Sequence, residues 1–439
     1  MHMNAESPSI VDKIKENKDY QFYIVYTILY LFIILLTDIV NGVVGNNYGW
    51  YDVYFYWEHA FDIMHGKVPY VDFDTAYPPF SFVIYLIPYL ITPDLEWFNH
   101  SFAIFTYLFT LLAIHGLFKF CDKYNLDHKY VYFTFLLLIL GLNNFFIARN
   151  DTITTVFVIL CLLFYFNKKY APAFICLALG AMTKIYPIFL LPVLLIPFLA
   201  DRDFKGFLKY GFLTAAVCLI IELPFLINDP STAFSYLTQH SGRGVEIESV
   251  VAIPLMVISL IDPSLVYVGM DESWDLFGPV ADAVAPYLMP LTFAIMGLFM
   301  LFFLVKMVKI RPKLEDALPL TMLACGITLM LFMTFNKVFC AQYVMWIVMM
   351  YPLLIYSYKR FGVDHKKLPR YLVFLCAATL LTVLFMEGST ENITIQYLLA
   401  DCLKGIAAIV LTCHLLKVFM ECLRKSGECK PNEVNIEDA

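Results

Sequence analysis

Charged residues are scarce along the whole of this 439-residue chain. Asp, Glu, Lys and Arg make up 15% of the sequence, whereas apolar residues make up 60%, and the mean hydropathy is +0.71. Soluble globular proteins contain roughly 25% charged and 45–50% apolar residues. The composition therefore excludes a soluble protein. Because no long stretch has an ordinary globular composition, it also excludes a soluble domain on a single membrane anchor.

Other features are missing as well, and each absence excludes a class of protein. The net charge is −7 and there is no basic tract, so a nucleic-acid partner is not expected. There is no Gly-rich nucleotide loop or Walker sequence. The apolar residues run in blocks and do not alternate, which argues against a transmembrane β-barrel. The 11 cysteines lack metal-ligand spacing and are expected to be small core residues.

Long apolar runs predict an all-α polytopic membrane protein with about 12 transmembrane helices, oriented so that Lys and Arg collect on the cytoplasmic side. Both termini are then cytoplasmic. Two further apolar stretches, 79–92 and 249–262, are short for a span and are expected to stay on the outer side. The predicted spans are 22–44, 95–118, 130–147, 151–166, 170–184, 187–200, 206–227, 286–306, 314–335, 342–358, 371–387 and 396–418.

Five cations are isolated on the outer face in this arrangement, which is otherwise almost free of positive charge. Cations placed in this way beside polar motifs predict that they bind an anionic group. The alternative is that each pairs with a nearby acid, as Arg149 would with Asp151. Lys404 does not belong to this group of five, because it lies within the last predicted span. The five outer cations are Lys67, Arg149, Lys184, Arg243 and Lys337.

The first outer loop, 45–94, is rich in acids and aromatic residues. Apolar side chains from Val53 to Met64 have helical spacing, which predicts a short amphipathic helix in the membrane interface. The run Tyr77-Pro78-Pro79 predicts the start of a second short helix. A carboxylate facing outward here can take a proton from an acceptor hydroxyl at the membrane surface. Alternatively, Asp72 and Asp74 solvate the loop and Asp52 caps the first helix.

Four segments in chain order carry a resemblance to a known family. The first comprises YDVY (51–54), HGKVPY (65–70) and YPPF (77–80), and the others are AMTKIYP (181–187), HSGRGVEIES (240–249) and NKVFCAQYVMW (336–346). Together they resemble the GT-C membrane glycosyltransferases, and most closely the polyprenol-phosphate-mannose-dependent mannosyltransferases of glycosyltransferase family 87. The last two predicted spans carry no matching motif.

The resemblance implies a GT-C fold and an extracytoplasmic enzyme of the cell membrane. Such an enzyme moves a hexose, expected to be mannose, from a polyprenyl- or dolichyl-phosphate donor to a hydroxyl of a glycan or glycolipid, with inversion. Asp52 falls where the family carries its catalytic base. The other expected substrate-binding residues are Tyr54, Asp72, Asp74, Tyr77, Glu248, Gln342 and Tyr343.

The donor phosphate needs cations, because negative charge grows on the leaving oxygen. Arg243, between two glycines, and Lys337 are the first candidates, followed by Lys184, and His240 is expected to add a hydrogen bond. A metal could bind through Asp72 and Asp74, but cationic side chains can stabilise a monophosphate without one, so no metal or other cofactor is expected. Membrane lipids complete the expected partners.

The resemblance also divides the chain. It predicts a cytoplasmic segment 1–21, a GT-C catalytic module 22–227, an outer loop 228–285 with a re-entrant or interfacial segment, C-terminal transmembrane helices 286–418 and a cytoplasmic tail 419–439. Two other functions stay open at this point. One is a transporter or flippase of lipid-linked sugars, although transporters usually contain internal repeats and none is evident here. The other is a polysaccharide polymerase or ligase that uses lipid diphosphates.

Overall fold

A computed structural model describes residues 17–44, 48–270 and 273–428 of the chain. These residues are mostly helical. The helices are α1 (Lys18–Val44), α2 (Tyr51–Met64), α3 (Phe80–Ile91), α4 (Leu95–Lys123), α5 (Lys129–Gly141), α6 (Asn144–Ile147), α7 (Asn150–Phe166), α8 (Tyr170–Thr183), α9 (Leu190–Ala200), α10 (Phe204–Asn228), α11 (Ser235–Gly242), α12 (Ile253–Ile261), α13 (Pro279–Ile310), α14 (Leu318–Phe335), α15 (Val344–Val348), α16 (Tyr351–Arg360), α17 (Leu368–Met386) and α18 (Ile395–Glu428). The strands are β1 (Val245–Glu246), β2 (Tyr267–Met270) and β3 (Trp274–Phe277).

Seven of the described helices are long and apolar enough to cross a membrane: α1, α4, α10, α13, α14, α17 and α18. Shorter apolar helices lie between them, including α3, α5, α7 and α8. This architecture confirms the predicted all-α polytopic membrane protein. The two short helices predicted after the first span are present as α2 and α3. The count of 12 spans, their orientation and the predicted division of the chain stay predictions.

The helices differ in how much of their surface the protein covers. In the most apolar stretch of α14, 94% of the residues are buried, whereas the corresponding share of α10 is 11%. Phe212 and Ile220 of α10 are largely exposed. Apolar side chains exposed over a whole helix require a lipid environment. Helix α14 therefore lies in the centre of the bundle, and α10 lies at its periphery.

Two predicted spans are broken in the structure. The predicted span 130–147 divides into α5 and α6 at Asn143, whose φ of +49° interrupts the helix. Its ψ of −121° combines with the positive φ in a conformation that L-residues rarely adopt and that no helix contains. The predicted span 342–358 divides into a 3₁₀ turn (Ala341–Tyr343), α15 and α16. Residues at this second break are buried by neighbouring helices, and irregular backbone at membrane depth is tolerated in that setting.

The loop 228–285 contains a small antiparallel sheet that the sequence did not predict. Its strand order is β1-β3-β2, and Glu246 pairs with Asp275. Strands of two and four residues are too short to give an alternation signal in the sequence. The sheet packs on α12 and on Tyr397 of α18 around a second apolar core. It fixes the backbone at Glu246 and just after Arg243.

Candidate active site

Asp52 forms an ion pair with Arg149. Asp52 lies in the first turn of α2, and Arg149 lies immediately before α7. Their side chains are 21% and 17% exposed, so the pair remains accessible. The cap position of α2 is Trp50, so the alternative that Asp52 caps the helix is wrong. The alternative raised for Arg149 was a pair with Asp151, but its ion-pair partner in the structure is Asp52.

Asp151 instead pairs with Lys184. Lys184 Nζ lies 2.6 Å from Asp151 Oδ2, and Trp346 Nε1 donates to Asp151 Oδ1 over 3.2 Å. The lysine also lies over the ring of Tyr343, 5.2 Å from its centroid. Asp151 is buried, whereas the side chain of Lys184 is 18% exposed. The pair therefore anchors a partly accessible cation between α7 and the segment before α15.

The structure brings Arg243 and Lys337 together, and their role in binding the donor stays a prediction. The guanidinium of Arg243 donates to Ser273 Oγ and lies 3.7 Å from Asp275 Oδ1 and 3.9 Å from Glu246 Oε1. Lys337 Nζ donates to the backbone carbonyl of Arg243. Arg243 Nε has no hydrogen-bond partner among the described residues. One donor of the guanidinium is therefore left over within this network.

Glu246 and Glu248 connect these cations to the rest of the bundle. The Glu246 carboxylate accepts from the Phe339 N–H over 2.7 Å and from Cys340 Sγ over 2.8 Å. Glu248 is buried, and its Oε1 lies 3.6 Å from Nζ of Lys404. Arg149 interacts electrostatically with both glutamates and with Asp151. The Asp52–Arg149, Asp151–Lys184 and Arg243–Lys337 groups therefore form one charged network.

Burial shifts the pKa values in this network. Burial and the adjacent Glu248 carboxylate raise the pKa of Glu246. Burial alone would lower the pKa of Arg243, but Glu246 and Asp275 outweigh it and raise that pKa. The pKa of Lys337 is lowered by burial and by the nearby Arg243. Arg243 is thus the permanent cation of this part of the site, and Lys337 gives up its proton more readily than an exposed lysine.

Three other predicted residues lie beside the network. Tyr77 packs against Tyr56 at a centroid distance of 5.7 Å and interacts electrostatically with Asp151 and Arg243. Gln342 and Tyr343 are buried in the 3₁₀ turn that follows Cys340. Lys184 lies over the ring of Tyr343, and Tyr343 also interacts electrostatically with Glu246, Asp151 and Arg243, whereas Gln342 is next to it in the chain.

The remaining predicted residues are less closely connected. Asp72 is exposed, and its carboxylate accepts from the Val68 N–H over 2.7 Å, which closes a turn. Asp74 is also exposed, and neither carboxylate forms an ion pair with a described residue. Tyr54 packs on Trp57 within α2. His240 falls in α11, and its side chain lies outside the described part of the structure.

Among the described residues, four of the five outer cations pair with an acid, which is the alternative raised from the sequence. Besides the pairs above, Lys67 lies 3.0 Å from Asp62 and is more than half exposed. Lys337 interacts electrostatically with Asp275.

In the described part of the chain, one group of three side chains could bind a metal ion. Ligand atoms of Glu246, Glu248 and Cys340 all lie within 4.8 Å of one another. Lys404 and Arg243 already lie against the two carboxylates. Those cations would compete with a metal ion, so the expectation of metal-independent chemistry is kept as a prediction.

Sequence reasoning missed the partners contributed by distant segments. Asp275 comes from a strand that no pattern indicated, and Lys404 comes from α18, which carries no motif. The sequence did contain one signal for Lys404, which is a lysine in the middle of an apolar helix. Such a lysine indicates an acidic or carbonyl partner, because a buried charge requires one. The partner itself is determined only by the packing of α18 against the outer loop.

The fold and this network define a helical membrane protein with a charged, partly open site on its loops. A comparison with protein families matches glycosyltransferase family 87 over residues 75–334. The match covers more than half of the chain, so the protein belongs to glycosyltransferase family 87 and is a membrane glycosyltransferase. No curated protein and no solved structure matches the chain. The matched region contains Arg149, Lys184 and Arg243, whereas Asp52 precedes it and Lys337 follows it.

Proposed function

We propose that the protein transfers a hexose, in the first instance mannose, from a polyprenyl- or dolichyl-phosphate donor to a hydroxyl of a glycan or glycolipid on the extracytoplasmic face of the cell membrane. The observation that carries the proposal is the joining of the accessible Asp52 carboxylate to a network of cations from four separate segments. Family membership supports an enzyme over a transporter. The proposed orientation has both termini in the cytoplasm.

The proposed reaction is one displacement at the anomeric carbon. The acceptor hydroxyl oxygen attacks this carbon, and the bond from carbon to the phosphate oxygen breaks, with its electron pair leaving on the phosphate. The hydroxyl proton passes to Asp52, which acts as general base. Attack opposite the leaving group inverts the anomeric configuration. Arg149 holds the Asp52 carboxylate in place before the acceptor binds.

The phosphate gains one negative charge as it leaves, and preorganised cations lower the free energy of that transition state. Arg243 is the main candidate, because Glu246 and Asp275 hold its guanidinium in place and its Nε is still unused among the described residues. Lys184 is partly exposed and faces the same network from the side of Asp151. Lys337 is adjacent to Arg243 and supports its loop.

The substrate sugar needs polar and aromatic contacts. Tyr77, Gln342, Tyr343 and Glu248 lie beside the network and are proposed to contact the donor hexose. Asp72, Asp74 and Tyr54 lie on the exposed side of the first outer loop, and we propose that they contact the acceptor. His240 is kept as a donor-phosphate candidate. The mechanism as written needs no metal.

The test uses purified protein in lipid nanodiscs with one candidate acceptor extract and three donors: polyprenyl-phosphate mannose, polyprenyl-phosphate glucose and a polyprenyl-diphosphate sugar. We expect release of polyprenyl phosphate from a monophosphate donor, unchanged by a metal chelator and lost in Asp52→Asn. Turnover of the diphosphate donor alone would contradict the proposal and favour a polymerase or ligase.

A further inference from the structure

Lys404 is a fully buried lysine in α18, and it lies far in sequence from the motifs that its side chain contacts. Its Nζ donates to the backbone carbonyl of Glu248 over 2.7 Å and to that of Phe339 over 2.9 Å. The same ammonium lies 4.6 Å from the centroid of the Phe339 ring. One side chain therefore bridges the outer-loop segment and the segment after α14.

The two bridged segments carry the proposed donor cations. Arg243 is five residues before Glu248, and Lys337 is two residues before Phe339. Two hydrogen bonds also join these segments to each other. The Glu246 N–H donates to the Lys337 carbonyl over 2.9 Å, and the Phe339 N–H donates to the Glu246 carboxylate over 2.7 Å. Lys404 adds the connection from a third element.

The charge of Lys404 is compensated within the bundle. Its Nζ lies 3.6 Å from Glu248 Oε1 and 3.6 Å from Asp401 Oδ1, and both acids are buried. A buried ion pair often adds little net stability compared with well-packed apolar residues. Stability alone is therefore a weak explanation for a charged group here, whereas its two carbonyl bonds fix the position of the segments.

We propose that Lys404 is a positioning residue of the donor site. It holds the segments that contain Glu248 and Phe339 in register, so that Arg243 and Lys337 face the donor phosphate together. This inference rests on the proposed function. Helix α18 lies beyond the region that matches the family, and on this proposal it positions the donor-binding residues.

The chain offers a matched control on the same helix. Lys425 Nζ donates to two backbone carbonyls, those of Phe361 at 3.0 Å and Gly362 at 3.2 Å, at the other end of α18. Lys425→Met likewise removes a lysine that binds two backbone carbonyls, here of one turn after α16, and it does not touch the site. Asp401→Asn is a second control, because it changes the local charge and leaves the carbonyl bonds of Lys404 intact.

The kinetic test compares wild type with Lys404→Met, Lys425→Met and Asp401→Asn, using the folded fraction of each preparation. We expect Lys404→Met to raise the apparent KM for the lipid-phosphate donor by about tenfold or more, because small displacements of catalytic groups are costly. Lys425→Met and Asp401→Asn should keep the wild-type donor KM. An unchanged donor KM in Lys404→Met would overturn the proposal. If Lys404→Met does not fold, Lys404→Met/Asp401→Leu removes the charge pair and takes its place.

A second measurement does not depend on the donor. Amide hydrogen exchange is followed at 245–249 and 336–340 in the same variants. Loss of Lys404 should speed exchange in both segments, and loss of Lys425 should leave both unchanged. Equal protection in Lys404→Met and wild type would refute the positioning role. If wild type transfers no sugar from any lipid phosphate, the proposed function fails, and the exchange experiment still decides whether Lys404 holds these segments.

Discussion

Single side chains at the site are held in pairs before any substrate binds. Arg149 holds Asp52, Asp151 holds Lys184, and Asp275 lies beside Arg243. Such pairing restricts rotamers in advance, so less conformational entropy is lost when the substrate arrives. It also explains how a site with so many charges remains stable at the edge of an apolar bundle.

Asp52 is the residue with the sharpest expected effect. Asp52→Asn keeps the size of the side chain and loses its ability to accept a proton, so turnover should fall by at least about 100-fold, the lower end for a positioned base. The measurement is kcat with a saturating monophosphate donor. The matched control is Asp62→Asn, which removes the partner of the exposed Lys67. Similar activity of the two variants would show that the base lies elsewhere and would turn attention to Asp72 and Asp74.

Arg149 is expected to matter for kinetics because its partner is Asp52. Arg149→Ala leaves the carboxylate without its cation and should lower kcat in the folded fraction. Arg149→Lys should recover part of the loss, because an ammonium keeps the charge without the planar geometry. Steady-state kinetics on size-exclusion-purified protein gives the answer. A normal kcat with only a lower melting temperature would mean that Arg149 is structural.

Arg243 tests the phosphate site. Arg243→Ala should reduce kcat and raise the donor KM together, because charge on the leaving oxygen is greater in the transition state than in the bound donor. Arg243→Lys should rescue only in part, since it cannot hold two phosphate oxygens as a fork does. Single-turnover transfer at limiting and saturating donor separates the two effects. Wild-type behaviour of both Arg243→Ala and Lys337→Ala would leave Lys184 as the remaining candidate.

At the scale of elements, one histidine away from the site forms ion pairs with the ends of neighbouring helices. His128 precedes α5, and its Nδ1 lies 2.9 Å from Asp19 Oδ1 of α1 while its Nε2 lies 2.9 Å from Asp122 Oδ1 of α4. Burial alone would lower the pKa of His128, but the two carboxylates outweigh it and raise the pKa. The imidazolium therefore connects the ends of three helices.

This arrangement predicts a pH-dependent stability. A group whose pKa is raised by folding contributes fully below its unfolded pKa, about 6.5 for His, and loses that contribution as the pH rises through the folded pKa. The melting temperature of wild type should therefore exceed that of His128→Gln by more near pH ~5.5 than near pH ~9. Thermal unfolding in detergent measures the difference. Asp19→Asn should shrink it, and a difference that grows with pH would contradict the assignment.

At the scale of the whole molecule, the open question is which apolar helices cross the membrane. Cysteines introduced at Lys67, Ser231 and Glu391 should react with an impermeant thiol reagent from outside, and cysteines at Asn167, Lys313 and Lys366 should not. All six positions are exposed in the structure, so their reactivity reports the side of the membrane. The unsubstituted protein gives the background from its own cysteines. Labelling at 313 from outside would mean that 249–262 crosses, and the count of 12 spans would fail.

The sequence alone determined the class of protein and most helices. Apolar runs long enough for a bilayer allow few structures other than helices, because every backbone polar group in lipid must be satisfied within the element or its neighbours. Local signals also predicted α2 and α3, since amphipathic spacing and prolines in a first turn act over a few residues. Asp52 was predicted from a local motif and its family resemblance, and its catalytic role stays a prediction.

Only the tertiary structure decided the pairings. Asp52 pairs with Arg149, Asp151 pairs with Lys184, and Lys404 binds the carbonyls of Glu248 and Phe339. The hydrogen bonds of Lys184 and Lys404 join residues that are 33 to 156 positions apart in the chain. No local pattern encodes such contacts, because each depends on how whole helices pack. The three-stranded sheet was missed for a related reason, since its strands are defined by their partners and are too short to be recognised alone. The sequence therefore supplied most of the candidate groups, and the packing of distant segments determined which of them meet and added Asp275 and Lys404.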